Sequence, residues 1–230
     1  MKTEARLAQL VERQFCKLDV AGSIPAPGST FLNPVRKVRT MGAHRAPVLL
    51  TIADLEATPD DGNRYELIDG ELYVSTAPGF FHQSALMNLS AHLWNYLRAN
   101  PIGTVSPGIG VIFDDHNGVV PDLVYTGKAR LREYLIGGRL TGPPEIAIEI
   151  LSPGSSNEKR DRHIKLSLYA ARGVEEYWIL DPENRSIEIH RRSGSGKLDF
   201  RENLRGEDRL ATPLLPGFDL PVAEVFAQPL

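Results

Sequence analysis

Twice in this chain a carboxylate stands inside an apolar, strand-like run, and this constrains the fold more than any other feature. Glu149 interrupts Ile146-Ala-Ile-Glu-Ile-Leu151, and Asp122 interrupts Val119-Val-Pro-Asp-Leu-Val-Tyr125. Short β-branched and apolar runs bounded by Gly and Pro read as strands. A lone carboxylate in such a strand must either face water on the wet side of an edge strand or be compensated, because an unpaired buried charge is very costly. If the two runs lie side by side, both acids arrive at one place. Glu66, within Tyr65-Glu-Leu-Ile-Asp-Gly70, is a third acid of the same kind.

The rest of the pattern alternates helix and strand signals. Thr51-Ile-Ala-Asp54 has capping-box spacing and opens a short helix to about residue 57. Runs 64–68 and 71–75 flank Asp69-Gly70, a two-residue hairpin signal. Residues 80–100 carry the longest helical pattern, with Phe81, Ala85, Leu89, Leu93, Tyr96 and Leu97 on one face and Pro101 ending it. Strand-like runs follow at 104–113, 119–125 and 145–151, then a polar helix over 156–172 closed by Gly173. Further strands are expected at 175–180, 186–191 and 198–202, with a short helix at 221–227. The order predicts an α/β protein with a sheet of mixed direction.

Composition narrows the function classes. The 230 residues include one cysteine, Cys16, which excludes a disulfide framework and any cysteine-rich zinc site. No apolar run reaches the roughly 18 residues of a membrane helix, and the start lacks a secretory apolar segment; a cytoplasmic protein without membrane partners is expected. The net charge of −3 hides an asymmetry. Residues 1–40 hold seven Lys/Arg and three Asp/Glu, whereas 41–230 hold 19 and 26. The first forty residues also lack periodicity and read as a disordered leader. Gly22-Ser23-Ile24-Pro25 can be encoded as GGT-TCG-ATT-CCC, which looks like the T-arm of a transfer RNA gene. We therefore expect residues 1–40 to be spurious translation of such a gene, Met41 to be the start, and 41–230 to form one domain.

The acids suggest chemistry. Two hard oxygen donors with room for water suit magnesium or manganese better than zinc. Such an ion acidifies bound water and polarises a phosphate oxygen. In the helix after Glu149, residues Asp161, Lys165 and Tyr169 fall at i, i+4 and i+8, on one face. Lys165 aimed at the carboxylates would orient a water and offset phosphate charge. His82, at the start of the long helix, is placed to contact a phosphate. Two basic clusters, Lys128/Arg130/Arg132/Arg139 and Lys159/Arg160/Arg162/Lys165/Arg172, partly answer the acidic balance of residues 41–230.

Pro121-Asp122 followed by Glu149-Ile-Leu151 resembles the PD-(D/E)XK pattern of the restriction-endonuclease-like superfamily. The segments Tyr65-Glu-Leu-Ile-Asp-Gly-Glu-Leu72, Pro121-Asp-Leu-Val124, Gly142-Pro-Pro-Glu-Ile-Ala-Ile-Glu-Ile-Leu-Ser-Pro153, Asp161-Arg162, Lys165, Tyr169 and Gly173-Val-Glu-Glu-Tyr-Trp-Ile-Leu-Asp-Pro182 together resemble its Uma-two branch of bacterial endonucleases. The resemblance runs from about residue 48 to the C-terminus. It implies a core of helix, three strands, helix and strand, with an added N-terminal hairpin and C-terminal antiparallel strands. One position departs from the pattern: the third residue of the triplet is Leu151 rather than lysine, which points to Lys165 in the following helix.

The resemblance also implies a magnesium-dependent endodeoxyribonuclease. Asp122, Glu149 and Glu66 would be metal ligands, joined by the Ile150 carbonyl. Lys165 and His82 would act on the substrate side, and Asp161 and Tyr169 would orient the others. Nucleic acid, DNA first, is the implied partner, with a homodimer if both strands are cut. Two other readings stay open: a non-catalytic nucleic-acid-binding or assembly module on the same fold, and a small-molecule phosphohydrolase. A peptidase has no support, since neither Gly-x-Ser-x-Gly nor His-Glu-x-x-His occurs.

Overall fold

Asp69 and Gly70 both take positive φ, 50° and 75°, as a two-residue hairpin turn of the primed kind requires. They join β1 (Arg64–Ile68) to β2 (Glu71–Ser75) with Ile68 opposite Glu71, as the sequence predicts. The structure is a computed structural model that describes residues 48–228. The expected leader at 1–40, Cys16 and the expected start at Met41 lie outside the described residues. The capped short helix α1 (Ile52–Glu56) precedes the hairpin, with the Asp54 carboxylate accepting from Thr51 N at 2.9 Å.

The long helix α2 (Phe80–Ala99) buries Ala85, Leu89, Leu93 and Leu97 at four-residue spacing. Its first turn departs from the expected face: Phe81 is exposed and His82 is buried. Helical winding explains this: residue 82 lies in line with Leu89, seven positions on, whereas Phe81 falls off the edge of the row, and the hydrogen bond from His82 to Asp122 satisfies the buried ring. Strands β3 (Gly103–Pro107), β4 (Val111–Asp114), β5 (Asn117–Val119) and β6 (Leu123–Gly127) follow. Then come α3 (Lys128–Tyr134), β7 (Leu135–Ile136), β8 (Arg139–Leu140) and β9 (Ile146–Ile150).

One continuous helical segment leads to β10 (Glu176–Asp181): α4 (Ser155–Lys159), a π-helical stretch (Arg160–Lys165) and α5 (Leu166–Arg172). Gly173, at φ 88°, stops it. The chain ends in β11 (Ser186–Arg192), β12 (Leu198–Arg205), β13 (Arg209–Ala211), β14 (Asp219–Pro221) and α6 (Val222–Val225). Among the described residues, no helix is long and apolar enough to cross a membrane.

Two six-stranded sheets result, ordered β2-β1-β5-β4-β8-β7 and β12-β11-β10-β9-β6-β3. In the second, β3, β6 and β9 are antiparallel, β10 is parallel to β9, and β11–β12 form an antiparallel meander. The two long strand-like runs of the sequence each divide between the sheets. Residues 104–113 break at Pro107-Gly108 into β3 of one sheet and β4 of the other. Residues 119–125 break at Val120-Pro121-Asp122 into β5 and β6, so Asp122 sits on the crossing between sheets rather than inside a strand.

All of β9 is buried. Alternation sends Ile146, Ile148 and Ile150 to the core shared with α2, and Ala147 and Leu151 to the core shared with α5 and the first sheet. Glu149 shares the parity of Ala147 and Leu151. It therefore points to the covered helix side, and the wet-edge reading of this acid does not hold.

Candidate active site

The partner of Glu149 is an ammonium. Lys165 Nζ donates to Glu149 Oε1 at 2.9 Å and to Glu66 Oε1 at 2.9 Å, with Asp161 Oδ1 at 3.9 Å. Lys165 is 1% exposed, and the three acids are 1–2% exposed, so this amine lies as deep as any core leucine. The Tyr169 hydroxyl donates to the same Glu149 oxygen at 2.7 Å. Asp161, Lys165 and Tyr169 thus share one face, as their spacing predicts. Asp161 and Lys165 lie in the π-helical stretch, a wide turn that often marks functional sites.

Asp122 closes the other end of the cluster. Its Oδ1 accepts from Arg64 at 2.7 Å, and its Oδ2 accepts from Ile150 N at 2.9 Å and lies 3.0 Å from His82 Nε2. Ile150 follows Glu149, so this main-chain bond ties the two acids of the sequence pattern together. Glu66 Oε1 also accepts from Val120 N at 2.9 Å, two residues before Asp122. All seven side chains singled out in the sequence, Glu66, His82, Asp122, Glu149, Asp161, Lys165 and Tyr169, therefore meet in one network.

Two members, Arg64 and Tyr177, escaped the sequence reading, and Arg160 was read only as part of a basic cluster. Arg64 stands two positions before Glu66 on β1, so alternation along the strand could have placed it on the same side. Arg160 Nε donates to Asp161 Oδ1 at 3.1 Å, and its neighbour in sequence was the only signal. The Tyr177 hydroxyl donates to the Asp161 carbonyl at 3.0 Å, which no local pattern foretells.

The electrostatics are uneven. Burial alone would raise the Asp122 carboxyl, but the hydrogen bonds and charges of His82 and Arg64 outweigh it and hold this acid below its ordinary range. Burial pushes Glu149 up to about 8, against the pull of Lys165 and with the help of Asp122, Asp161 and Glu66. Asp161 is raised chiefly by burial as well. Burial would lower Lys165, yet Glu149, Glu66 and Asp161 more than reverse this and keep it an ammonium. With Asp122 ionised, His82 Nε2 is the donor of their bond; His82 Nδ1 is buried with no partner among the described residues.

Four buried carboxylates thus face three permanent cations, Arg64, Arg160 and Lys165. Burial first and the neighbouring acids second raise Glu149, and a proton or a metal cation can supply the missing positive charge. Hard carboxylate oxygens are the donor chemistry of magnesium or manganese, so the residues fit such an ion by type and charge. Among the described residues, however, no three acid, His or Cys side chains are arranged as a ready cage.

The expected basic face is largely consumed in ion pairs. Arg130 bonds Glu145 and Glu175, Arg139 bonds Glu56, Arg162 bonds Asp181 and Glu188, and Arg172 bonds Asp114. Lys128, Arg132 and Lys159 hold no ion pair among the described residues.

Residues 52–223 match the family Uma2, described as "Putative restriction endonuclease". Among solved structures, the chain is similar to one described as a "putative nuclease belonging to DUF820" from Anabaena variabilis ATCC 29413. The TM-score is 0.64 at 18% identity, covering 77% of this chain and 97% of that one. The fold is accordingly restriction-endonuclease-like. No curated protein matches.

Proposed function

The chain belongs to the Uma2 family, and from that premise we propose that it hydrolyses phosphodiester bonds of nucleic acid, DNA first, as a metal-dependent endonuclease. The observation that carries this reading is the buried Lys165 bridging Glu66 and Glu149 beside Asp122. A purely structural core gains little from such a cluster, since apolar residues of similar volume are often as stable.

Asp122 and Glu149 would hold a divalent cation, magnesium or manganese, with Glu66 as a further oxygen donor. When bound, that ion supplies charge stabilisation and a more acidic water. The protein's own groups do the rest. Lys165 holds Glu149 and Glu66 in place and brings the positive charge that offsets a developing phosphorane. Asp161 and Tyr169 fix Lys165 and Glu149 from the helix side. His82, fixed through Nε2 on Asp122, orders the first turn of α2 beside the reacting phosphate. Arg64 neutralises the outer oxygen of Asp122. Cutting both strands calls for two such sites and hence a homodimer, which sedimentation of the pure protein tests.

The direct test is nicking of supercoiled plasmid by pure protein in magnesium or manganese, with EDTA as control. D122N, E149Q and K165M, checked for folding by circular dichroism, should each lose at least a hundredfold in rate. Undiminished cleavage by D122N and E149Q would sink the assignment. A second reading, a non-catalytic nucleic-acid-binding or assembly module, is favoured by the closed geometry, in which Lys165 already occupies two of the acids. Calorimetric titration with magnesium separates the two: heat lost in E149Q supports the nuclease, and no heat in the parent supports the module.

A further inference from the structure

A cleft of about 840 Å3 opens next to the acid cluster, and His82 belongs to both. Phe80 and Phe81 line it from the first turn of α2, 64% and 60% exposed. Their rings meet edge to face at 5.6 Å. Neither ring contributes to a core, so two large apolar surfaces are held in water at the mouth of a cleft. The charged part of the lining nearly cancels. Glu158, Asp181 and Glu183 line the cleft against Arg162 and Arg185, and Arg162 is already tied to Asp181 and Glu188.

With Arg162 already paired, the cleft offers no cationic track for a row of phosphates, so it is not a backbone channel. It suits a flat, uncharged aromatic group that stacks on one side and hydrogen-bonds on the other. Its volume lies within the roughly 300–1,000 Å3 of small-ligand sites. A base locked in a duplex stack cannot enter such a recess, whereas an unpaired or extruded base can.

We propose that this cleft receives the base of an unpaired nucleotide in single-stranded or locally opened nucleic acid, stacked on Phe80 and Phe81, while the backbone passes the acid cluster at His82. The proposal rests on the nuclease reading for the identity of its ligand, and it narrows the substrate to strands with unpaired bases. A free mononucleotide carries the same base chemistry.

The test is fluorescence anisotropy of the full chain at low salt in EDTA, with a labelled single-stranded DNA oligonucleotide, the same strand as RNA, the DNA duplex, and free mononucleotides as competitors. The parent should bind a single strand, of DNA or RNA, more tightly than the duplex. F80A/F81A should weaken that binding about 5- to 150-fold, as expected for the loss of one stacked base, and F80W/F81W should restore it. Duplex binding as tight as single-strand binding overturns the proposal, as does F80A/F81A binding within twofold of the parent. It is also overturned if mononucleotides compete as well as the strand, which makes the cleft a free-nucleotide site. A change confined to oligomeric state in F80A/F81A overturns it too and reassigns the rings to a protein contact. Single-strand binding without any cleavage in magnesium would remove the nuclease reading and leave the cleft standing; duplex cleavage indifferent to the two rings would do the reverse.

Discussion

Replacing Lys165 by Met removes the ammonium while keeping most of the side-chain volume, and leaves Glu66 and Glu149 facing each other without it. Each pair is at 2.9 Å. At an effective dielectric of about 20 the gross attraction is about 6 kcal/mol per pair. Part is offset because the variant no longer desolvates an ammonium, and the usual net cost of breaking a buried pair from one side is about 3–5 kcal/mol. Glu149 can escape by keeping its proton, so the cost must depend on pH. Lys165 has its folded value raised, and its contribution is fully present below the ordinary 10.5, hence constant between pH 5 and 9. Glu149 of the variant, raised further, keeps its proton above the pH of about 8 at which the parent's releases it, so the variant's deficit widens as pH rises past that point. Urea unfolding should place the K165M midpoint about 2 M below the parent at pH 8.5, for a slope near 2 kcal/mol/M, and closer by about 0.5 M at pH 5.5. K165M/E149Q should recover more than about 1 kcal/mol of the loss through direct coupling. Equal midpoints, a deficit that ignores pH, or strict additivity with E149Q would show that the ammonium does not hold these acids.

Four further outcomes follow from the same contacts. Glu149 is shifted from 4.5 to about 8, so the parent binds an extra proton on folding across that window and loses stability as pH rises through it. Relative to E149Q, the parent should fall by up to about 1.4 kcal/mol per pH unit there, and parallel curves would refute the shift. Y169F deletes a buried 2.7 Å hydrogen bond to Glu149 and should cost about 1–3 kcal/mol by urea unfolding, with no change in fold by circular dichroism. Gly173 sits at φ 88°, and an added Cβ would make only an ordinary contact with Pro143 Cγ at 3.7 Å, so G173A should cost about 1 kcal/mol from backbone strain alone. Magnesium should raise the melting temperature of the parent by mass action but leave D122N and E149Q unmoved; an equal rise in all three would place the ion elsewhere.

Local rules were sufficient where a few neighbouring residues decide the outcome. Asp69-Gly70 forces positive φ at both positions, and the hairpin follows. Ile146–Leu151 can hardly be anything but a strand, and the buried row of α2 is written at four-residue spacing. What local rules could not supply is the passage between sheets. Val119–Tyr125 reads as one strand because every residue but Pro121 and Asp122 favours extended backbone, yet Val119 pairs with Val111 in one sheet and Leu123 with Ile148 in the other. Only long-range pairing separates them. Phe81 misled for a different reason: repeated four-residue steps drift around a helix of about 3.6 residues per turn, so the row through Leu89 and Leu93 reaches back to His82 and leaves Phe81 at its edge. Helix α3 and the β7–β8 hairpin were unreadable because Lys128–Leu140 is too polar and too short to show a period.

The same distinction explains why the acids could be read but their partner only in part. An acid in an apolar strand is an anomaly in itself, and it asks for compensation wherever it appears. A lysine in a polar helix is ordinary, and nothing within one turn of Lys165 says that it is buried. What marks it is the conjunction of both facts. Leu151 occupies the place where the superfamily pattern has its lysine, so the strand lacks a cation of its own. The helix that crosses over Glu149 must then present one on its inner face, and Lys165 is the residue at the right turn. The π-helical stretch has a physical place in this account. Asp161 and Lys165 both lie in it, buried, and from there one amine satisfies two strands at once. Shortening this stretch by one residue, by deleting Ile164, should restore α-helical winding, swing Lys165 off Glu149 and Glu66, and reproduce the pH-dependent instability of K165M. A deletion variant as stable as the parent at pH 8.5 would mean that the wide turn plays no part in placing the amine.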